Sequence, residues 1–86
     1  MSLRFAMKVR VRLYAFLAER HSEAIRPGSP LDLDLPEGST VASLVDYLDL
    51  PLDEVKLTVV NGRMREREHV LEPEDEVGLF PPIAGG

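Results

Sequence analysis

The side chains able to do chemistry are few and poorly grouped. His21 and His69 are far apart, with no histidine or cysteine at ligand spacing, so a metal centre would need acids to converge on them. Surface histidines and no metal are the expectation. The pairs Asp32/Asp34 and the run Glu74-Asp75-Glu76 could hold a hard cation, yet "EPEDE" (72–76) lacks the glycine-punctuated spacing of a calcium loop and reads as a solvated turn. The chain has no cysteine, which removes disulfides, thiolate zinc sites and a cysteine nucleophile together. Neither a glycine-rich phosphate loop nor a nucleophile elbow is present. With 86 residues there is little room for the pocket of roughly 300 Å³ or more that small-molecule sites use. No intrinsic catalytic residue and no bound cofactor are therefore expected.

What remains is the C-terminal stretch "LFPPIAGG" (79–86). At a glycine usage of about 7 %, a chance Gly-Gly ending occurs in roughly one chain in 200, so the ending invites a chemical reason. Proline fixes φ and lacks an N–H, so Pro81 and Pro82 should end a sheet ladder and carry the following residues away from the body as a stiff spacer. Glycine without a Cβ passes through channels too narrow for other residues, and Gly86 ends in an unhindered carboxylate. A carboxylate reacts only once its oxygen becomes a leaving group. The chemistry implied is activation by ATP in a partner enzyme, followed by attack of a sulfur or amine nucleophile.

The elements that must position this tail can be read from periodicity. Met7, Val9, Val11, Leu13 and Ala15 alternate with Lys8, Arg10, Arg12 and Tyr14, a half-buried strand. Residues 18–30 lose the alternation and end in Pro-Gly-Ser-Pro, a loop. Leu31, Leu33 and Leu35 alternate again, completing a hairpin. Val41, Leu44, Val45 and Leu48 then form the apolar stripe of a short helix capped by Thr40 or Ser39 and ending before Pro51. Ser43 stands where an acid would complete the capping box, which predicts a weakened cap. "VKLTVVNGR" (55–63) is a strand closing on the tight turn Asn61-Gly62. The charged "MREREHVL" (64–71) is an edge strand or surface loop, and "VGLF" (77–80) is the last strand, in which Gly78 relieves packing or admits a close approach. One helix on a mixed four- or five-stranded sheet, with first and last strands central, is an α+β roll of the β-grasp (ubiquitin-like) type. The domain spans 7–80, between an N-terminal extension (1–6) and the extended tail (81–86).

Tyr14, Phe16, Val60 and Phe80 fall on the side of their strands opposite the core pattern, predicting an apolar docking patch. The net charge of −5 divides into +4 over residues 1–30 and −9 over residues 31–86. A chain so acidic beyond residue 30 is a poor nucleic-acid binder, since the row Lys8, Arg10, Arg12 is its only basic cluster on a strand. No apolar run is long enough to span a bilayer, and the start lacks the apolar stretch of a signal peptide. A cytoplasmic protein without membrane or nucleic-acid partners is expected.

These stretches together carry a resemblance. "VRLYAFLAER", "STVASLVDYL", "VNGR" and "DEVGLFPPIAGG", over residues 7–86, resemble the small subunit of molybdopterin synthase, a sulfur carrier of the ubiquitin-like superfamily. The Phe-Pro-Pro-x-x-Gly-Gly ending is the specific part; the thiazole sulfur carriers share "TVxxL" and "VNG" but usually lack the two prolines. The resemblance implies that Gly86 is adenylated and converted to a thiocarboxylate that donates sulfur to a pterin precursor. It also implies that Ile83, Ala84 and Gly85 thread the partners' active sites, and that Phe80, Pro81, Pro82 and Ile83 anchor the tail. The implied partners are an ATP-dependent adenylating (E1-like) enzyme and the larger synthase subunit. Glu74, in place of the glycine common in the "DGDEV" turn, and the short helix depart from the pattern. A thiazole-type carrier, or a ubiquitin-like modifier or binding module, are the alternatives.

Overall fold

In the computed structural model, residues 6–82 are described. The order is β1 (Ala6–Leu13), α1 (Phe16–His21), β2 (Pro30–Pro36), α2 (Val41–Tyr47), a 3-10 turn (Leu52–Glu54), β3 (Leu57–Val60), β4 (Arg63–Met64) and β5 (Glu76–Phe80). The strands form one mixed sheet in the order β2-β1-β5-β3-β4. The first and last strands lie side by side and parallel at its centre, with Arg10 opposite Glu76 and Leu13 opposite Leu79. This is the β-grasp arrangement that the element order predicts.

Alternation decides which face is buried. Met7, Val9, Val11 and Leu13 from β1, Leu35 from β2, and Val77 and Leu79 from β5 enter a single core with Val41, Leu44, Val45 and Leu48 of α2. Leu31 and Leu33 pack against its margin, half-buried. Helix α2 is two turns long and gains its stability from this burial, because an isolated helix of that length does not persist in water.

The start of α2 is better satisfied than the sequence predicts. The Thr40 N–H donates to Ser43 Oγ at 2.7 Å and the Ser43 N–H to Thr40 Oγ1 at 3.2 Å, so the serine hydroxyl completes the capping box without a carboxylate. The Val41 and Ala42 N–H groups donate to the carbonyls of His69 and Arg67. All the early donors of the helix are thus taken.

Two further differences concern local structure. The predicted 18–30 loop opens with α1, which begins at Phe16 and buries Leu17 and Ala18 completely. Three consecutive apolar residues, Phe16 to Ala18, in six positions give no helical periodicity to reveal it. It is entered through Ala15 at φ 54° and ψ −138°, a conformation unusual for a residue with a Cβ, and fastened by an Arg20–Glu54 ion pair and a His21 Nδ1 to Leu48 carbonyl contact of 3.0 Å. The second difference is Asp75, which is buried rather than solvated, at 7 % exposure. Its carboxylate accepts from Asn61 Nδ2 and from the Glu72 N–H, each at 2.8 Å. Those bonds tie the "EPEDE" turn to the Asn61-Gly62 turn, whose two residues both have positive φ.

Candidate functional site

The face of the sheet turned away from α2 carries the candidate site. Tyr14, just beyond β1, and Phe80, closing β5, stack with ring centroids 4.3 Å apart and planes 2° from parallel. Both rings stand over Gly78: a Cβ there would lie 3.3 Å from Phe80 Cε1 and 3.3 Å from Tyr14 Cε2. Gly78 therefore exists to admit the aromatic pair, the close approach expected of a glycine inside a strand. Gly28, of the 18–30 segment, lies against the Tyr14 ring.

Val59 is registered opposite Gly78, Leu57 opposite Phe80, and Met64 opposite Val59. Leu57 and Met64 are exposed and Val59 half-buried, so the aromatic pair continues into an apolar strip across β3 to β4. Beside it runs a shallow groove of about 400 Å³, lined among others by Arg10, Arg12, Tyr14, Val59, Glu76 and Phe80. A sheet face provides this volume although the chain is too short for an enclosed pocket of that size.

The predicted patch is thus corrected in two members. Val60 is 3 % exposed and belongs to the core; Val59 takes the outward position. Both faces of β3 carry apolar residues, so alternation alone could not fix which set points inward. Phe16 is exposed, but it starts α1 and does not line the groove. Tyr14 and Phe80 are brought together as predicted. Pro81 is buried and Pro82 exposed, so the body holds the first proline and releases the second. Ile83, Ala84, Gly85 and Gly86 lie outside the described residues.

Next to the apolar strip is a ladder of charge. Lys8, Arg10 and Arg12 on β1 run between Asp34 and Asp32 on β2 and Glu76 on β5. Arg10 Nε donates to Asp32 Oδ1 at 2.9 Å, and that hydrogen bond, with the guanidinium charge, holds the Asp32 carboxyl below its ordinary value. Arg12 donates to the Gly28 carbonyl at 2.8 Å. The basic row is flanked by carboxylates and does not present a continuous positive surface. Among the described residues no group of three or more His, Asp or Glu could hold a metal ion, and no helix is long and apolar enough to cross a membrane.

Sheet order, grasped helix and open apolar face define a ubiquitin-like β-grasp protein. The model of the ThiS family matches residues 11–86, and the chain belongs to that family. It is a ubiquitin-like protein of the sulfur-carrier kind. No curated protein sequence matches significantly. Among solved structures, a Pyrococcus furiosus protein named provisionally as molybdopterin converting factor, subunit 1, superposes with a TM-score of 0.69 at 23 % identity, covering 90 % of this chain and 99 % of its own. Small archaeal modifier protein 1 of Haloferax volcanii gives 0.70 at 22 % identity, covering 90 % and 99 %. The protein of the same name from Methanosarcina acetivorans gives 0.59 at 26 % identity, covering 94 % and 98 %.

Proposed function

We propose that the chain is a sulfur carrier, the small subunit of a molybdopterin synthase, acting in the cytoplasm through its C-terminal carboxylate. The observation that carries this reading is the ending Phe80-Pro81-Pro82-Ile83-Ala84-Gly85-Gly86, which continues directly from the central strand β5 of a ThiS-family fold. An E1-like enzyme would join the Gly86 carboxylate to the adenylyl group of ATP, releasing pyrophosphate. A sulfur nucleophile would then displace AMP and leave a thiocarboxylate. The larger synthase subunit would receive the tail, with Tyr14, Val59 and Phe80 as the docking strip and Ile83 to Gly85 threading its active site. The sulfur would finally pass to a pterin precursor.

The test is the intact mass of the chain after incubation with ATP, a sulfur source and an adenylating enzyme from the same cell. A gain equal to replacing one oxygen by sulfur, located at Gly86, is the expected result. An unchanged mass across several such enzymes would reject the carrier mechanism. A second reading, as a ubiquitin-like protein modifier, is favoured by the 26 % identity to a small archaeal modifier protein. It predicts amide adducts between Gly86 and lysines of other proteins. The thiazole-type carrier is disfavoured by Pro81-Pro82.

A further inference from the structure

On the helix side of the sheet, between the start of α2, the 3-10 turn and the segment after β4, lies a hollow of about 90 Å³. Its polar lining is Lys56, Thr58, Arg65, Glu66 and Arg67, completed by aliphatic side chains. Three cationic residues and one acidic residue line it, a local charge of +2 in a chain of net charge −5. The ion pairs among the described residues are Arg10–Asp32 and Arg20–Glu54, so none of these three cations is already neutralised by one.

Thr58 supplies an independent observation. It is 7 % exposed, and its hydroxyl makes no hydrogen bond among the described residues, although no fully enclosed side-chain N or O there lacks a partner. The hydroxyl therefore keeps access to solvent, and Thr58 lines the hollow. A hydroxyl with no protein partner, among cationic residues that form no ion pair, is an arrangement that a hydrogen-bonding anion would complete.

The backbone around the hollow is fixed. The Lys56 N–H donates to the Phe80 carbonyl at 2.8 Å, the Arg65 N–H to the Thr58 carbonyl at 2.9 Å, and the Arg67 carbonyl accepts from the Ala42 N–H at 2.9 Å. The first amides of α2 are already bonded to the carbonyls of His69 and Arg67, so they are not open to a ligand. At about 30 Å³ per water, the volume corresponds to about three waters. That suits a single tetrahedral oxyanion and leaves no room for a sugar or base.

We propose that Lys56, Thr58, Arg65 and Arg67 form a binding site for a small tetrahedral oxyanion, either free phosphate or the phosphoryl group of a nucleotide whose remainder stays in solvent. The site is separate from the tail chemistry, and its test does not depend on that chemistry.

The experiment is a titration of the full chain at constant ionic strength, followed by the backbone amide resonances, with inorganic phosphate, AMP and chloride as probes. Saturable shifts at Thr58, Arg65 and Arg67 with phosphate, absent with chloride, are expected. Tighter binding of AMP would assign the nucleotide as the source, and equal or weaker binding the free ion. Arg67→Gln should raise the apparent Kd at least about tenfold through loss of a charge-assisted bond, while Glu66→Gln should lower it about threefold by removing the opposing charge. Opposite signs in two variants that retain the wild-type spectrum elsewhere distinguish ligand binding from a change in folding. Linear shifts shared with chloride, or no dependence on Arg67 and Glu66, would overturn the proposal.

Discussion

Gly78 is the residue on which the open face depends. Adding one methyl group places a Cβ 3.3 Å from each ring of the Tyr14–Phe80 pair, too close to be accommodated without moving one of them. Overpacking of this kind costs about 1–3 kcal/mol, so Gly78→Ala should lower the urea midpoint by that equivalent and separate the rings. An unchanged midpoint, with Tyr14 ring resonances as in the parent, would mean that the stack does not need the glycine. The sequence marks Gly78 as a close-approach position but cannot say what approaches, since the two rings come from chain ends that meet only when β1 pairs with β5. Val60 is the opposite lesson. Leu57, Val59 and Val60 are all apolar, and only packing against the rest of the core determines that Val60 points inward. Asp32 offers a titration at the same scale. Its folded-state carboxyl titrates below the ordinary 3.8 because Arg10 hydrogen-bonds its anion. Such a group stabilises the fold above its unfolded pKa and loses that contribution as pH falls through the lowered folded value. The stability difference between the parent and Asp32→Asn should therefore be steady at neutral pH and shrink below about pH 4; a difference independent of pH down to pH 2 would count against the pair.

At the scale of elements, α2 shows how a short helix is specified by its ends. Its apolar stripe is legible in sequence, but the reciprocal Thr40–Ser43 bonds and the carbonyls of Arg67 and His69 are what occupy its first amides. Replacing Thr40 by Ala should cost about 1 kcal/mol. Because the two side chains serve one box, adding Ser43→Ala to Thr40→Ala should cost less than the sum of the separate changes. A fully additive double mutant, measured by urea denaturation, would show that the serine acts independently. Helix α1 was not legible because its stability is almost wholly tertiary: Leu17 and Ala18 are buried, and Arg20 and His21 reach partners 34 and 27 residues away in sequence. No local pattern encodes such contacts. Strand β4, only Arg63–Met64, is short for a related reason, since the charged run after it returns to bond α2 instead of extending the ladder.

For the whole molecule, the two hairpins and the central place of the first and last strands were legible from the order of the elements, and the sheet has them. The parallel β1–β5 pairing then places the end of β5 beside the open apolar face, so that under the proposed function docking and tail chemistry would fall to neighbouring but separate parts. This separation leads to two variants with different consequences. Deleting Gly86 leaves every described contact of residues 6–82 in place, so the urea midpoint should stay within error of the parent while thiocarboxylate formation and sulfur transfer disappear. Phe80→Ala keeps Gly86 but removes one ring of the stack and part of the docking strip. Chemistry should persist at reduced kcat/KM, by about tenfold or more if Phe80 is a principal contact of the partner surface. If the Gly86 deletion retained full sulfur transfer, the reactive carboxylate would have to be sought elsewhere. If instead Phe80→Ala transferred sulfur as efficiently as the parent, with its folding intact, the partner would have to grip the chain by a surface other than the face beside which β5 leaves the sheet.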